Sequence, residues 1–179
     1  MSPSGYEILG IGSPMLDQVI HVSHEFLAHH PGPKGGMQYG SAEDLQKLIT
    51  ASGQEPLIIP GGSASNTIKG LAALGRKTAI LGKIGEDFAG KKYKEKINEL
   101  NIVPLLLRSK TPTGQVVCMV TPDNERTFRS FQGAGGELQA SDLKPEMFQG
   151  TRLIHVEGYC LLFGDIAPAV MKMAKEAGA

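Results

Sequence analysis

The chain has 179 residues, with 18 Lys plus Arg balanced by 18 Asp plus Glu and 41% apolar residues. That length favours one domain with a single sizeable core, and the zero net charge gives no basic surface for nucleic acid or for an anionic membrane. No apolar run approaches the roughly 20 residues that span a bilayer. Met1–Gly5 lack the basic and apolar regions of a signal peptide, so a cytoplasmic protein is expected.

Taken in chain order, Tyr6–Ile11 is a short apolar run that predicts a buried first strand. Met15–Val22 alternates in part and predicts a second strand. A short helix over Ser23–His30 would use Ser23 as its N-cap, and Pro31–Gly36 must be a loop. Ser41 opens a helix with Glu43 and Asp44 in its first turn and with Leu45, Leu48 and Ile49 on one face. Leu57–Pro60 reads as a strand, followed by Gly61-Gly62-Ser63. The next helix repeats Ala64, Ile68, Leu71 and Ala72 at helical spacing, with Gly75 at its C-terminal end. Thr78–Ile84 is a strand. Asp87 caps a helix with Tyr93, Ile97 and Leu100 on one face, and its Lys91, Lys92 and Lys94 with Glu95 read as a solvated surface. Ile102–Leu107, Thr113–Thr121, Thr127–Phe131 and Arg152–Val156 follow as strands, and Ile166–Glu176 as a last helix. Pro122-Asp123-Asn124-Glu125 has turn chemistry. Cys118 and Cys160 sit in apolar runs and are expected as buried free thiols.

Alternating strands and helices predict an α/β layered fold with a parallel sheet and right-handed crossovers. Residues 15–22 and 113–131 break the alternation and are expected outside the main sheet, as a small lid. Several familiar motifs fail on inspection. Gly10-Ile11-Gly12 follows a strand, but Met15 stands where a dinucleotide fingerprint needs its third glycine. Gly82-Lys83 lacks the rest of a phosphate loop. No G-x-S-x-G occurs, and no Cys or His cluster has zinc spacing. His155, alone in an apolar strand, reads as a satisfied core residue.

The informative segment is Pro60-Gly61-Gly62-Ser63-Ala64-Ser65-Asn66-Thr67. Glycines between a strand and a helix let backbone N–H groups approach a ligand. The helix N-terminus favours electron-rich oxygens, and the Asn66 amide can donate to and accept from a hydroxyl. The same residues also suit a plain tight turn capped by Asn66, and both readings stay open on residue chemistry alone.

Residues 61–66 with Leu71-Ala72-Ala73-Leu74-Gly75 resemble the N-terminal signature of ribokinase-like (PfkB) carbohydrate kinases. Gly10–Asp17, Gly82–Gly90, Thr113-Gly114, Thr121–Thr127, Gly133-Ala134-Gly135 and Glu157-Gly158-Tyr159 are similar to later stretches of that family, in the same order. Pro14–Asp17, the Gly-Gly-Ser turn and Glu157–Tyr159 lean toward its adenosine-kinase-like branch. The resemblance implies a ribokinase-like α/β fold, a parallel-sheet core with a small β lid. Residues 1–179 would form one partial domain covering its N-terminal part.

It implies ATP-dependent phosphorylation of a sugar or nucleoside hydroxyl. Asp17 and Asn66 would bind hydroxyls, Gly61 and Gly62 would lie beneath the sugar, Met37 would reach it from the lid, and Arg126 would meet the transferred phosphate. The family's Gly-Ala-Gly-Asp motif, with its catalytic Asp, is absent from the sequence. The base and the ATP and Mg²⁺ sites are therefore expected beyond Ala179, no metal site is expected here, and this chain alone is expected to be inactive. The alternative is a non-catalytic sugar- or nucleoside-binding or interaction module. A sheet cut midway would expose an edge and apolar surface, so either self-association or poor stability is expected, and a lid can also pair two subunits into a homo-oligomer.

Overall fold

The computed structural model describes residues 5–30, 32–162 and 164–179; Pro31 of the expected loop and Met1–Ser4 lie outside them. Two sheets form. The first has the order β6-β5-β1-β9 and is parallel throughout: β1 is Ile8–Ile11, β5 Thr78–Gly85, β6 Val103–Ser109 and β9 Leu153–Val156. The second has the order β3-β8-β7-β2-β4 and mixes directions: β2 is Met15–His21, β3 Met37–Tyr39, β4 Leu57–Gly61, β7 Gly114–Val120 and β8 Arg126–Phe131.

A parallel sheet buries both faces, so its strands read as continuous apolar runs. All four residues of β1 are buried accordingly. On one side, Ile8, Ile80 and Ile84 pack under α3 (Ser63–Ala73) and α4 (Phe88–Glu99), through Ile68, Tyr93 and Ile97. On the other side, Leu9, Ile11 and Leu81 pack under α5 (Ile166–Ala177) and a run of 3-10 turns between Gly133 and Met147, through Leu138, Phe148 and Val170.

The second sheet has two unlike faces. Successive residues of a strand point to opposite sides. Leu16, Ile20, Val117 and Met119 point back: Leu16 joins the core under α3 and α4, and the other three pack against α1 (His24–Ala28) and α2 (Ala42–Ser52). The cross-strand register places Met15, Asp17, Val116, Phe128, Ser130, Met37 and Tyr39 together on the front.

The expected caps form. Ser23 Oγ accepts from Phe26 N–H, and Asp87 Oδ1 accepts from Gly90 N–H at 2.8 Å. Ser41 and Asp44 make a reciprocal capping box on α2, at 3.1 and 3.0 Å. A Ser41→Ala variant is expected to lose about 1 kcal/mol of stability, read from urea denaturation. An unchanged midpoint would mean that water replaces the hydroxyl at no cost. Both cysteines are buried and free.

Three features differ from the sequence reading. Residues 57–61 lie in the strand–helix alternation, yet β4 joins the second sheet, antiparallel to β2. Residues 37–39, to which the sequence reading assigns no element, form a strand because β8 offers an edge to pair with. His155 Nε2 is buried without a hydrogen-bond partner among the described residues, so His155 is not the satisfied core residue expected. It stands on β9, at the sheet's edge.

Candidate functional site

A cavity of about 700 Å³ opens between the front of the second sheet and the ends of the first. Ser13 follows β1, Glu157 follows β9, and Gly62 and Ser63 begin α3; all three segments contribute to the wall. Open α/β sheets place ligands at these carboxyl ends of parallel strands. The second sheet supplies Met15, Asp17, Val116 and Phe128 with Ser130, and its edge strand adds Met37 and Tyr39. Tyr159 and Leu162 close the far side.

Asp17 lies mid-strand on this floor rather than at a strand end. Burial pushes its carboxyl up to about 6, and the charge of Lys69 partly offsets that rise. Lys69 itself donates to the Pro60 carbonyl at 2.5 Å, and burial lowers its own pKa. Gly61 sits against Asp17: a Cβ there would fall 2.3 Å from the carboxyl. Gly62 has φ +97, which favours glycine, and a Cβ would fall 2.3 Å from the Ser13 carbonyl.

Glu157 ties the site together. Its Oε1 accepts from Ser13 N–H at 2.7 Å and its Oε2 from Ala64 N–H at 3.1 Å. It is buried, 3% exposed, and Gly12 leaves room for it, since a Cβ there would meet the carboxyl at 2.3 Å. The helix N-terminus has no side-chain cap of its own, so Glu157 serves as a cap from 93 residues away. Behind it, Ser65 Oγ and Tyr93 Oη share a 2.5 Å hydrogen bond in the core, and burial pushes the phenol up. Gln132 Nε2 donates to Ser13 Oγ at 3.1 Å, and Ser13 Oγ donates to Gly135 O at 3.3 Å.

Of the residues expected from the sequence, Asp17, Met37 and Gly62 line the cavity, and Gly61 lies behind Asp17. Asn66 is exposed in the first turn of α3 and is not part of the wall, and neither is Arg126, exposed at the start of β8. The sequence reading passed over Tyr39, Val116, Phe128, Ser130 and Gln132. Period-two alternation in the strands around residues 15–21, 114–120 and 126–131 was the available signal for three of them. Among the described residues no group of three or more His, Cys, Asp or Glu could hold a metal ion, and no helix is long and apolar enough to cross a membrane.

If Asp17 accepts a ligand hydroxyl as a carboxylate, affinity is expected to be flat above about pH 7. Below the carboxyl's value of about 6 it should fall, approaching tenfold per pH unit. Lys69, Tyr93 and Cys118 sense the same charge, but the last two are pushed upward and stay neutral in that range. Calorimetric titration at pH 5, 6 and 7.5 checks this, and equal affinities would remove Asp17 from the contact.

A family model described as pfkB family carbohydrate kinase matches residues 39–179. Probable fructokinase-5 of Arabidopsis thaliana is 26% identical over 151 residues, covering 80% of this chain and 47% of that protein. Probable fructokinase-6, chloroplastic, of the same plant is 28% identical over 126 residues, covering 66% and 33%. Among solved structures, an adenosine kinase from Sinorhizobium meliloti superposes with a TM-score of 0.81 at 27% identity, over 97% of this chain and 54% of that one. A probable sugar kinase from Rhizobium etli gives 0.81 at 25%, over 99% and 55%. The chain thus spans about half the length, or less, of the relatives it matches.

Proposed function

Because the chain belongs to the pfkB family of carbohydrate kinases, we propose that its cavity is the substrate side of a kinase that phosphorylates a hydroxyl of a nucleoside or sugar. The observation that carries this reading is Asp17, a half-buried acid on the floor of a cavity that is otherwise mostly apolar. Ligand sites combine such walls with a few placed polar groups. As a carboxylate, Asp17 accepts hydrogen bonds from hydroxyls, and the missing side chain at Gly61 leaves room for that carboxyl. Met15, Met37, Tyr39, Phe128 and Tyr159 offer more apolar and aromatic surface than a bare sugar can cover. A planar base would cover it, which favours a nucleoside. Structural likeness to an adenosine kinase at 27% identity supports the same choice.

The lid role falls to the second sheet. Asn66 and Arg126 stand off the wall, and contact with a hydroxyl or a transferred phosphate would require the second sheet to close over the main one. The phosphate donor in this family reading is ATP with Mg²⁺. The residues described here do not fit that pair: the cavity wall carries no cation among the described residues, and they form no metal cluster. No transfer step is therefore assigned to this chain's side chains.

Calorimetry with adenosine, ribose and fructose, with a phosphotransfer assay alongside, tests the reading. Saturable binding of adenosine is expected. Binding without transfer would identify a nucleoside-binding module, and no binding by any of the three would overturn the site.

A further inference from the structure

A second cavity, of about 380 Å³, lies on the back of the second sheet, beside α2. Successive residues of a strand face opposite sides, so β3 and β8 serve two cavities. Met37, Phe128 and Ser130 line the front one, while the cross-strand neighbours Gln38 and Arg129 line the back one. Tyr39 borders both.

The back wall joins apolar surface to a buried cation. Leu45 and Leu48 of α2 are buried and supply the apolar part, with Ala51 beside them. Arg129 is 9% exposed, and its Nη1 donates to the Phe128 carbonyl at 2.9 Å. The acid on this wall, Asp44, is committed to the helix cap, where its Oδ2 accepts from the N–H and the hydroxyl of Ser41 at 3.0 and 2.7 Å. Lys47, exposed at the rim, pairs with Glu43 at 2.7 Å. A guanidinium is planar, permanently charged and matched to carboxylate geometry. Held away from water, it is stabilised by an opposite charge.

We infer that the back cavity binds a small organic anion, with its carboxylate on Arg129 and its apolar or aromatic body against Leu45, Leu48 and Ala51. Such a ligand also acts on the front. β3 is three residues long and, among the described residues, pairs with β8 alone. An edge strand held on one side belongs to the weak end of local stability. Contacts to Gln38 and Arg129 hold the β3–β8 pair in place, and Met37 and Tyr39 with it. Adenosine then meets a wall that is already ordered and binds more tightly. This coupling rests on the substrate-site reading above; the back cavity itself does not.

Calorimetry on the whole chain tests this, with benzoate as the probe and benzamide as its uncharged counterpart. Benzoate is expected to bind saturably, and benzamide at least about tenfold more weakly. Arg129→Gln is expected to weaken benzoate roughly ten- to a hundredfold. Ala51→Phe keeps Arg129 and fills the cavity instead, and it is expected to block benzoate even if the first variant fails to fold. Saturating benzoate is expected to tighten adenosine about fivefold. No benzoate binding, benzamide bound as tightly, or full benzoate affinity in either folded variant overturns the site. Direct competition between benzoate and adenosine would put the probe in the front cavity and overturn it as well. Adenosine affinity unchanged by saturating benzoate overturns the coupling through β3. If adenosine does not bind at all, the substrate-site reading fails with the coupling, and the benzoate titrations still decide the back cavity.

Discussion

Asp17→Asn is expected to stabilise the chain and, at the same time, cost it most of its ligand affinity. The stability sign follows from burial. The Asp17 carboxyl is raised from an ordinary 3.8 to about 6, so the folded state holds the proton more tightly than the unfolded one. As pH rises from about 4 to about 6 the unfolded chain ionises first, and stability falls. Above 6 the full penalty of a buried charge is present. A shift of about two units corresponds to roughly 3 kcal/mol, and an amide removes the charge with little change in shape. At neutral pH the variant is therefore expected to gain on the order of 2 kcal/mol in urea denaturation, and nothing near pH 3. Ligand binding moves the other way. A hydrogen bond to a charged acceptor contributes about 1.5–3 kcal/mol, so adenosine is expected to bind the variant roughly ten- to a hundredfold more weakly. A variant less stable than the parent at pH 7 would mean that Asp17 is a structural partner and not a strained site residue.

Glu157→Ala is expected to do the reverse and damage the fold first. Its carboxylate satisfies two backbone N–H groups, on the turn after β1 and at the start of α3. Each buried donor left without a partner costs about 1–3 kcal/mol, so a loss of roughly 2–5 kcal/mol is expected, part of it recoverable by water. Glu157→Gln should fall between, because an amide accepts from one N–H but presents its own donors to the other. Adenosine affinity should drop with it, since Ser13 and Gly62 are held in place by this bridge. An alanine variant within 0.5 kcal/mol of the parent would contradict the bridging role.

These two residues also mark what could be read from the sequence. Asp17 was legible because it stands in a local pattern, an alternating strand after Gly10–Pro14, and because the stretch resembles a family motif. The capping residues Ser23, Ser41 and Asp87 were legible for the same reason: each acts within three residues of itself. Glu157 was visible as a landmark, but its work spans 144 residues to Ser13 and 93 to Ala64, and no local pattern encodes such a contact. The placement of β4 was hidden in the same way. Its sequence is a plain apolar strand before a helix, and only pairing with β2 decides which sheet receives it. β3 is three residues long and owes its form to the β8 edge. Asn66 followed from a motif, yet α3 turns it to solvent, off the cavity wall.

The most direct measurement uses the methionine methyl groups. The chain has seven methionines; Met15 and Met37 line the cavity, while Met119 is fully buried on the back of the same sheet. With ¹³C-methyl methionine, titration with adenosine should shift the Met15 and Met37 signals saturably and leave Met119 where it is. Saturating adenosine that leaves Met15 and Met37 unmoved would contradict the assignment of this cavity as the substrate site.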